Sequence, residues 1–195
     1  MQQISYQLAN SLYLSITDRC TLVCEFCPKT QGSYQIGDYN LKMDHLPTAE
    51  EIIASIHNAG QYDEVVFCGY GESTLRLKVL LEVAAFIKQQ GGKVRVNTDG
   101  LGSLVNKRNI LPEMQGLVDA VSVSLNAQNE EVYNRHCQPQ LPGSYQAMLE
   151  FLQEAPKYIP SVTASAIDGL EGVDIVACQK KADELGAKFR ARPLF

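Results

Sequence analysis

Apolar and polar positions along this chain follow two alternating rhythms, and the alternation predicts an architecture. Leu12-Tyr-Leu-Ser-Ile-Thr17 switches faces at every residue, which is the period of a strand. A helix is expected from Thr48, because Thr48 and Glu51 form a capping-box pair ahead of Ile52, Ile53 and Ile56. Residues 64–68 read as a short buried strand. Leu77, Leu80, Leu81, Ala84 and Ala85 then recur at helical spacing up to a Gly91-Gly92 stop. Strands are expected over 93–98, 118–125, 161–167 and 188–192, with helices over 106–115, 129–135, 144–154 and 174–185.

Six strands separated by helices imply parallel pairing through right-handed crossovers, hence an α/β fold. A full eight-stranded barrel takes ~250 residues, more than the 195 present. The expected form is therefore a partial (β/α)6 barrel with parallel strands and outer helices, with a doubly wound sheet as the other arrangement. In both, ligands belong at the carboxyl ends of the strands.

Composition narrows the picture. With 45% apolar residues and no linker-like or low-complexity stretch, residues 1–195 are expected to form a single domain without an auxiliary cluster domain. Seventeen basic against 22 acidic residues give a net charge of -5, and no basic run offers a nucleic-acid-binding stripe. The N-terminus has no cationic region, and the most apolar stretch, 79–87, is short and broken by Glu82. A cytoplasmic protein without membrane partners is expected.

Three of the six cysteines fall within eight positions, Cys20-Thr-Leu-Val-Cys24-Glu-Phe-Cys27, directly after the first strand. Such density points to reduced thiolates held for a metal. Three thiolates can ligate three irons of a cubane cluster and leave the fourth iron open to a substrate. Two alternatives stand beside this reading. One is a structural zinc site completed by Cys68, His136 or Cys137; the other is an electron-transfer cluster with a fourth protein ligand.

With Phe26 before Cys27, the motif resembles the CxxxCx(aromatic)C signature of the radical S-adenosylmethionine superfamily. The resemblance implies one [4Fe–4S] cluster on Cys20, Cys24 and Cys27 inside a partial barrel. It also implies S-adenosylmethionine on the fourth iron, cleaved reductively to a 5′-deoxyadenosyl radical that takes hydrogen from an unidentified substrate. A one-electron donor such as flavodoxin or ferredoxin is the implied partner. Cys68-Gly69-Tyr70-Gly71-Glu72 is similar to the family's Gly-Gly-Glu motif with Tyr70 inserted. By that likeness Gly69 and Gly71 let backbone approach the methionine end, and Glu72 accepts a charge-assisted bond from its ammonium group. Glu72 also stands where it would cap the next helix.

Ser122, Ser124 and Asn126 share one strand face. Ser124 and Asn126 resemble ribose-motif positions, while Asn97 and Thr98 are candidates for ribose or carboxylate contacts; plain strand polarity is the competing explanation. The Thr17-Asp-Arg-Cys lead, Asn97-Thr-Asp-Gly100 and Arg190-Ala-Arg-Pro193 look like the small radical enzymes encoded beside TatD-type deoxyribonucleases. The enzymes making 7-carboxy-7-deazaguanine are a second resemblance by size and motif. The 28–47 loop, with Lys29, Tyr34 and Tyr39, is expected to serve as a lid or as surface decoration, and Cys137 is a candidate hydrogen donor or metal ligand. Lys188, Arg190 and Arg192 share a face of the last strand, where Arg190 and Arg192 are possible contacts for an anionic substrate. Cations guarding an exposed sheet edge would give the same pattern.

Overall fold

Strands join the sheet in the order in which the chain makes them. The computed structural model describes residues 2–194. It begins with a hairpin, β1 (Ser5–Leu8) and β2 (Ser11–Leu14), paired antiparallel with Ser5 opposite Leu14. The sequence pattern predicts only the second of these strands. β1 is four residues long and its turn, through Ala9 at φ 50, carries none of the usual Asn-Gly or Gly signals.

The cysteine segment follows, then a two-residue ribbon, β3 (Gln35–Ile36) against β4 (Tyr39–Asn40). α1 (Ala49–Ala54) starts on the predicted capping box, with Glu51 N–H donating to Thr48 Oγ1 at 3.2 Å and Thr48 N–H to Glu51 Oε2 at 2.7 Å. β5 (Val65–Phe67), α2 (Leu77–Gln89) and β6 (Val94–Thr98) occupy the expected positions. The single helix expected over 106–115 is instead two short ones, α3 (Gly102–Asn106) and α4 (Leu111–Met114). Lys107 turns left-handed at φ 53 to end the first, and Asn109 Oδ1 accepts the Leu111 N–H ahead of Pro112. The remainder is β7 (Ala120–Ser124), α5 (Glu130–Cys137), α6 (Ser144–Glu154), β8 (Ser161–Asp168), α7 (Ile175–Glu184) and β9 (Lys188–Pro193).

The main sheet runs β1-β2-β5-β6-β7-β8-β9, and every neighbouring pair from β2 onward is parallel. An order that never reverses sends each right-handed crossover over the same face, so the helices cover one side and the sheet curls around the other. That is a partial barrel. A doubly wound sheet would reverse its order and carry helices on both faces.

Alternation along each strand divides the residues accordingly. Leu12, Leu14, Val65, Phe67, Val94, Val96, Val121, Val123 and Ala164 are buried in one core with Ile52, Leu80, Ile87, Met148 and Leu152 of the helices. Each fully buried side chain of this kind contributes about 1.5–3 kcal/mol. Residues of the opposite parity, among them Tyr13, Arg95, Asn97, Ser122, Ser124, Ser165 and Arg190, face a cavity on the concave side. Among the described residues no helix is long and apolar enough to cross a membrane.

Candidate active site

One cavity of about 340 Å³ opens over the carboxyl ends of the parallel strands. Its wall contains Cys20, Cys24 and Cys27 from the segment after β2, Gly69, Gly71 and Glu72 from the turn after β5, and Asn97 and Thr98 at the end of β6. Phe26, Ser124, Asn126, Arg190 and Arg192 also line this space, whereas Lys29, Tyr34, Tyr39, Cys137 and Lys188, likewise singled out from the sequence, do not.

The cysteine segment lacks regular structure of its own and is braced from outside. Val23 N–H donates to the Cys137 carbonyl at 3.1 Å, Glu25 N–H to the His136 carbonyl at 3.0 Å, and Gln140 N–H to the Thr21 carbonyl at 2.9 Å. The last turn of α5 and the irregular stretch after it thus form a strap laid along the cysteines. His136 is buried and spends both ring nitrogens structurally, on the Glu25 carboxylate and, at 2.8 Å, on the Glu171 carbonyl. Thr30 Oγ1 ties down the far end by donating to the Cys24 and Cys27 carbonyls at 2.9 and 2.7 Å.

All three thiols are free and half-buried. Burial, followed by the nearby charge of Asp99, pushes Cys20 up to about 12. Cys24 is also raised, first by a hydrogen bond with the Cys137 thiol and then by burial. The Cys20 and Cys24 sulfurs therefore hold their protons until a metal displaces them. Among the described residues no three Cys, His, Asp or Glu side chains already lie at single-ion spacing. Cys68 lines the cavity, whereas Cys137 lies buried behind it, against Cys24 and 3.4 Å from Asn126 Nδ2.

Glu72 performs the capping role that its position allows. It is 3% exposed, and its Oε1 accepts from Thr74 N–H at 2.9 Å, Thr74 Oγ1 at 2.6 Å and Thr98 Oγ1 at 2.9 Å. Its Oε2 accepts from Asp99 N–H at 2.7 Å, and the Asp99 carboxyl itself lies within hydrogen-bonding reach of the Glu72 carboxylate. The glycines beside it serve the chain's own packing. A Cβ on Gly71 would meet the Arg19 carbonyl oxygen at 2.7 Å, and one on Gly69 would meet Ser15 Cβ at 3.0 Å. Their smallness lets the turn after β5 press against the segment leading to Cys20.

Sequence reasoning missed Asp99 as a site residue. It is 6% exposed, accepts from Thr21 Oγ1 at 2.6 Å and Leu101 N–H at 2.9 Å, and lines the cavity next to Glu72. Burial, then the Glu72 charge, raises its carboxyl well above the ordinary range. Arg95, Tyr13 and Ser165 were missed as well, although strand parity places them on the same face as Asn97 and Ser124.

Several predicted contact groups are already engaged. Thr98 gives its hydroxyl proton to Glu72, and Asn97 Oδ1 accepts from Arg95 Nη1 at 2.8 Å. Asn126, left-handed at φ 58, lies between Cys137 and Arg192. Ser122 and Ser124 keep their hydroxyls free of other side chains among the described residues. The 28–47 loop reaches this wall through Tyr70, whose hydroxyl donates to the Gln35 carbonyl at 2.5 Å and whose ring meets Tyr34 edge-on at 6.0 Å. Its other end is held by Lys29 Nζ on the Asp18 carbonyl at 2.6 Å and by Tyr39 against Tyr6.

Fold and site together define an open βα barrel with a thiol-lined cavity at its carboxyl-terminal rim, the end at which barrel enzymes carry their chemistry. The Radical SAM superfamily model matches residues 14–180, and the chain belongs to that superfamily. It is 27% identical over 197 aligned positions to GTP 3′,8-cyclase of Corynebacterium glutamicum (strain R), covering 94% of this chain and 48% of the relative. The chain thus spans about half the length of that curated relative. Among solved structures, Streptococcus suis SuiB bound to S-adenosylmethionine superimposes with a TM-score of 0.70 at 12% identity, over 96% of this chain and 41% of SuiB. TYW1 with a lysine-pyruvate adduct bound gives 0.66 at 14% identity, over 94% and 64%. Membership implies S-adenosylmethionine and a [4Fe–4S] cluster as cofactors. Three free thiols from one segment at the rim of a polar cavity fit that donor requirement.

Proposed function

We propose that residues 1–195 form the single core domain of a radical S-adenosylmethionine enzyme acting on a substrate still to be identified. The observation that carries this reading is the convergence of Cys20, Cys24 and Cys27 on the same cavity as Glu72, within a chain of this superfamily. Those three thiolates would hold the [4Fe–4S] cluster, which when bound would supply the electron for reductive cleavage of S-adenosylmethionine and so the radical chemistry on substrate.

The chain's own residues bind and shield. Glu72 offers its carboxylate to the ammonium group of S-adenosylmethionine, while Thr74 and Thr98 fix its orientation. Ser124 presents a hydroxyl to the ribose from the end of β7, and the 28–47 loop shields the wall on the Tyr70 side. A small one-electron carrier such as flavodoxin or ferredoxin is the reductant. Asn97-Thr-Asp-Gly100 and Arg190-Ala-Arg-Pro193, the segments that carry the narrower likeness to TatD-associated radical enzymes, both contribute cavity residues.

Anaerobic reconstitution tests the reading. About four irons and four sulfides per chain are expected, with 5′-deoxyadenosine and methionine released on reduction. Cys20→Ala, Cys24→Ala and Cys27→Ala should each abolish the cluster. Stoichiometric zinc from iron-replete, reducing preparations, with no cleavage of S-adenosylmethionine, would return the site to the structural-zinc alternative.

A further inference from the structure

Three arginines reach the cavity, and their charges are treated differently. Arg95 is neutralised by Glu64 through Nε at 3.0 Å and Nη2 at 2.7 Å. Among the described residues, no carboxylate lies within ion-pair distance of Arg190 or Arg192. Arg192 Nη2 has a neutral acceptor, Asn126 Oδ1 at 3.2 Å, while its Nε is closed off from solvent and has no acceptor. Leaving a guanidinium donor dry and unpaired is unfavourable unless a ligand completes it.

Strand geometry makes the pair a site. Arg190 and Arg192 are two residues apart on β9, so both point to the concave face with Cα atoms ~6.8 Å apart. At that spacing two planar guanidinium forks can converge on one oxyanion. Ser165 lies directly beside Arg190 in the register and also faces the cavity. A row of edge cations serving only to repel other strands would have no reason to sequester Arg192 Nε.

S-adenosylmethionine does not discharge this wall. It carries one carboxylate against an ammonium and a sulfonium, so it enters as a net cation whose single carboxylate can cancel at most one of the two guanidinium charges. On the reading above, its ammonium is met on the opposite side by Glu72, which follows β5, four strands from β9. We propose that Arg190 and Arg192 bind an oxyanion of the substrate, a carboxylate or a phosphate, and hold it on the β9 side of the cavity. This assignment rests on the cofactor reading above for its division of the cavity into two ends.

The test is equilibrium dialysis of reconstituted holoenzyme, anaerobic and saturated with S-adenosylmethionine, against labelled inorganic phosphate and, separately, labelled acetate. Saturable binding of one equivalent of at least one probe is expected, and the tighter probe tells phosphate from carboxylate. Arg190→Gln and Arg192→Gln should each weaken that binding at least about tenfold, with affinity for S-adenosylmethionine, dialysed in parallel, unaltered. No saturable binding of either probe overturns the proposal, as does binding indifferent to both substitutions. Loss of S-adenosylmethionine affinity in Arg192→Gln also overturns it, by making that arginine a cofactor ligand. If Arg192→Gln does not fold, Arg190→Gln decides, because Arg190 is exposed and supports no other side chain. Iron content separates the two readings: a full cluster with no anion site refutes only this proposal, whereas arginine-dependent anion binding without a cluster refutes only the cofactor assignment.

Discussion

On the β5–β6 side of the cavity, Glu72 and Asp99 are held by backbone N–H groups and by the hydroxyls of Thr21, Thr74 and Thr98. On the β9 side, the only side-chain acceptor for Arg190 and Arg192 among the described residues is Asn126. The acidic wall is completed by the chain itself, from donors near in sequence and at the ends of adjoining strands. Substitutions there should disturb the protein even without ligands, whereas substitutions on β9 should show themselves mainly when an anion is present.

The strongest way to break the acidic wall is Gly71→Ala. A Cβ would press on the Arg19 carbonyl, a backbone atom that cannot rotate away, and so push on the segment carrying Cys20. A loss of about 3 kcal/mol in urea unfolding is expected, together with reduced iron loading. Wild-type stability and loading in this variant would show that the close approach is not needed. Glu72→Gln is expected to cost less, about 2 kcal/mol, because an NH2 group must replace one oxygen among donors that it cannot accept from. It should keep the cluster yet weaken S-adenosylmethionine binding in an anaerobic titration; unchanged affinity would reduce Glu72 to a helix cap.

The smallest effect concerns protons. The Asp99 carboxyl, raised well above its ordinary 3.8 by burial and then by Glu72, binds its proton more tightly in the native than in the unfolded chain. Its contribution to stability is therefore complete below the unfolded pKa and is lost as pH rises through the native one. Asp99→Asn does not titrate. In cluster-free protein its unfolding midpoint should gain on wild type as pH increases from about 4 to about 8, and parallel pH profiles would dissociate Asp99 from Glu72.

Much of this arrangement was legible in the residues themselves. Thr48 and Glu51 announced α1, strand alternation announced the two faces of the barrel, and the cysteine spacing announced the rim. What escaped depended on encounters across the fold. Asp99 was in view within Asn97-Thr-Asp-Gly100, but its pairing with Glu72, 27 positions away, exists only once β5 and β6 lie side by side. Cys137 likewise meets Cys24 only because the strap crosses the motif. The β1 strand and the break between α3 and α4 escaped for a local reason, since neither Ala9 nor Lys107 advertises a left-handed turn.

The strap also gives the protein a timetable. Cys20, Cys24 and Cys27 leave the ribosome well before their brace, since Glu25 and His136 are 111 residues apart. At typical elongation rates the bracing backbone arrives ~6–22 s later. During that interval the thiols ride on a nascent chain that has neither its strap nor its barrel, open to oxidation and to adventitious metals. On the cofactor reading proposed above, a braced cluster site exists only once His136 has been made, and cells depleted of oxygen or rich in reducing thiols should recover a larger loaded fraction from the same amount of translated protein.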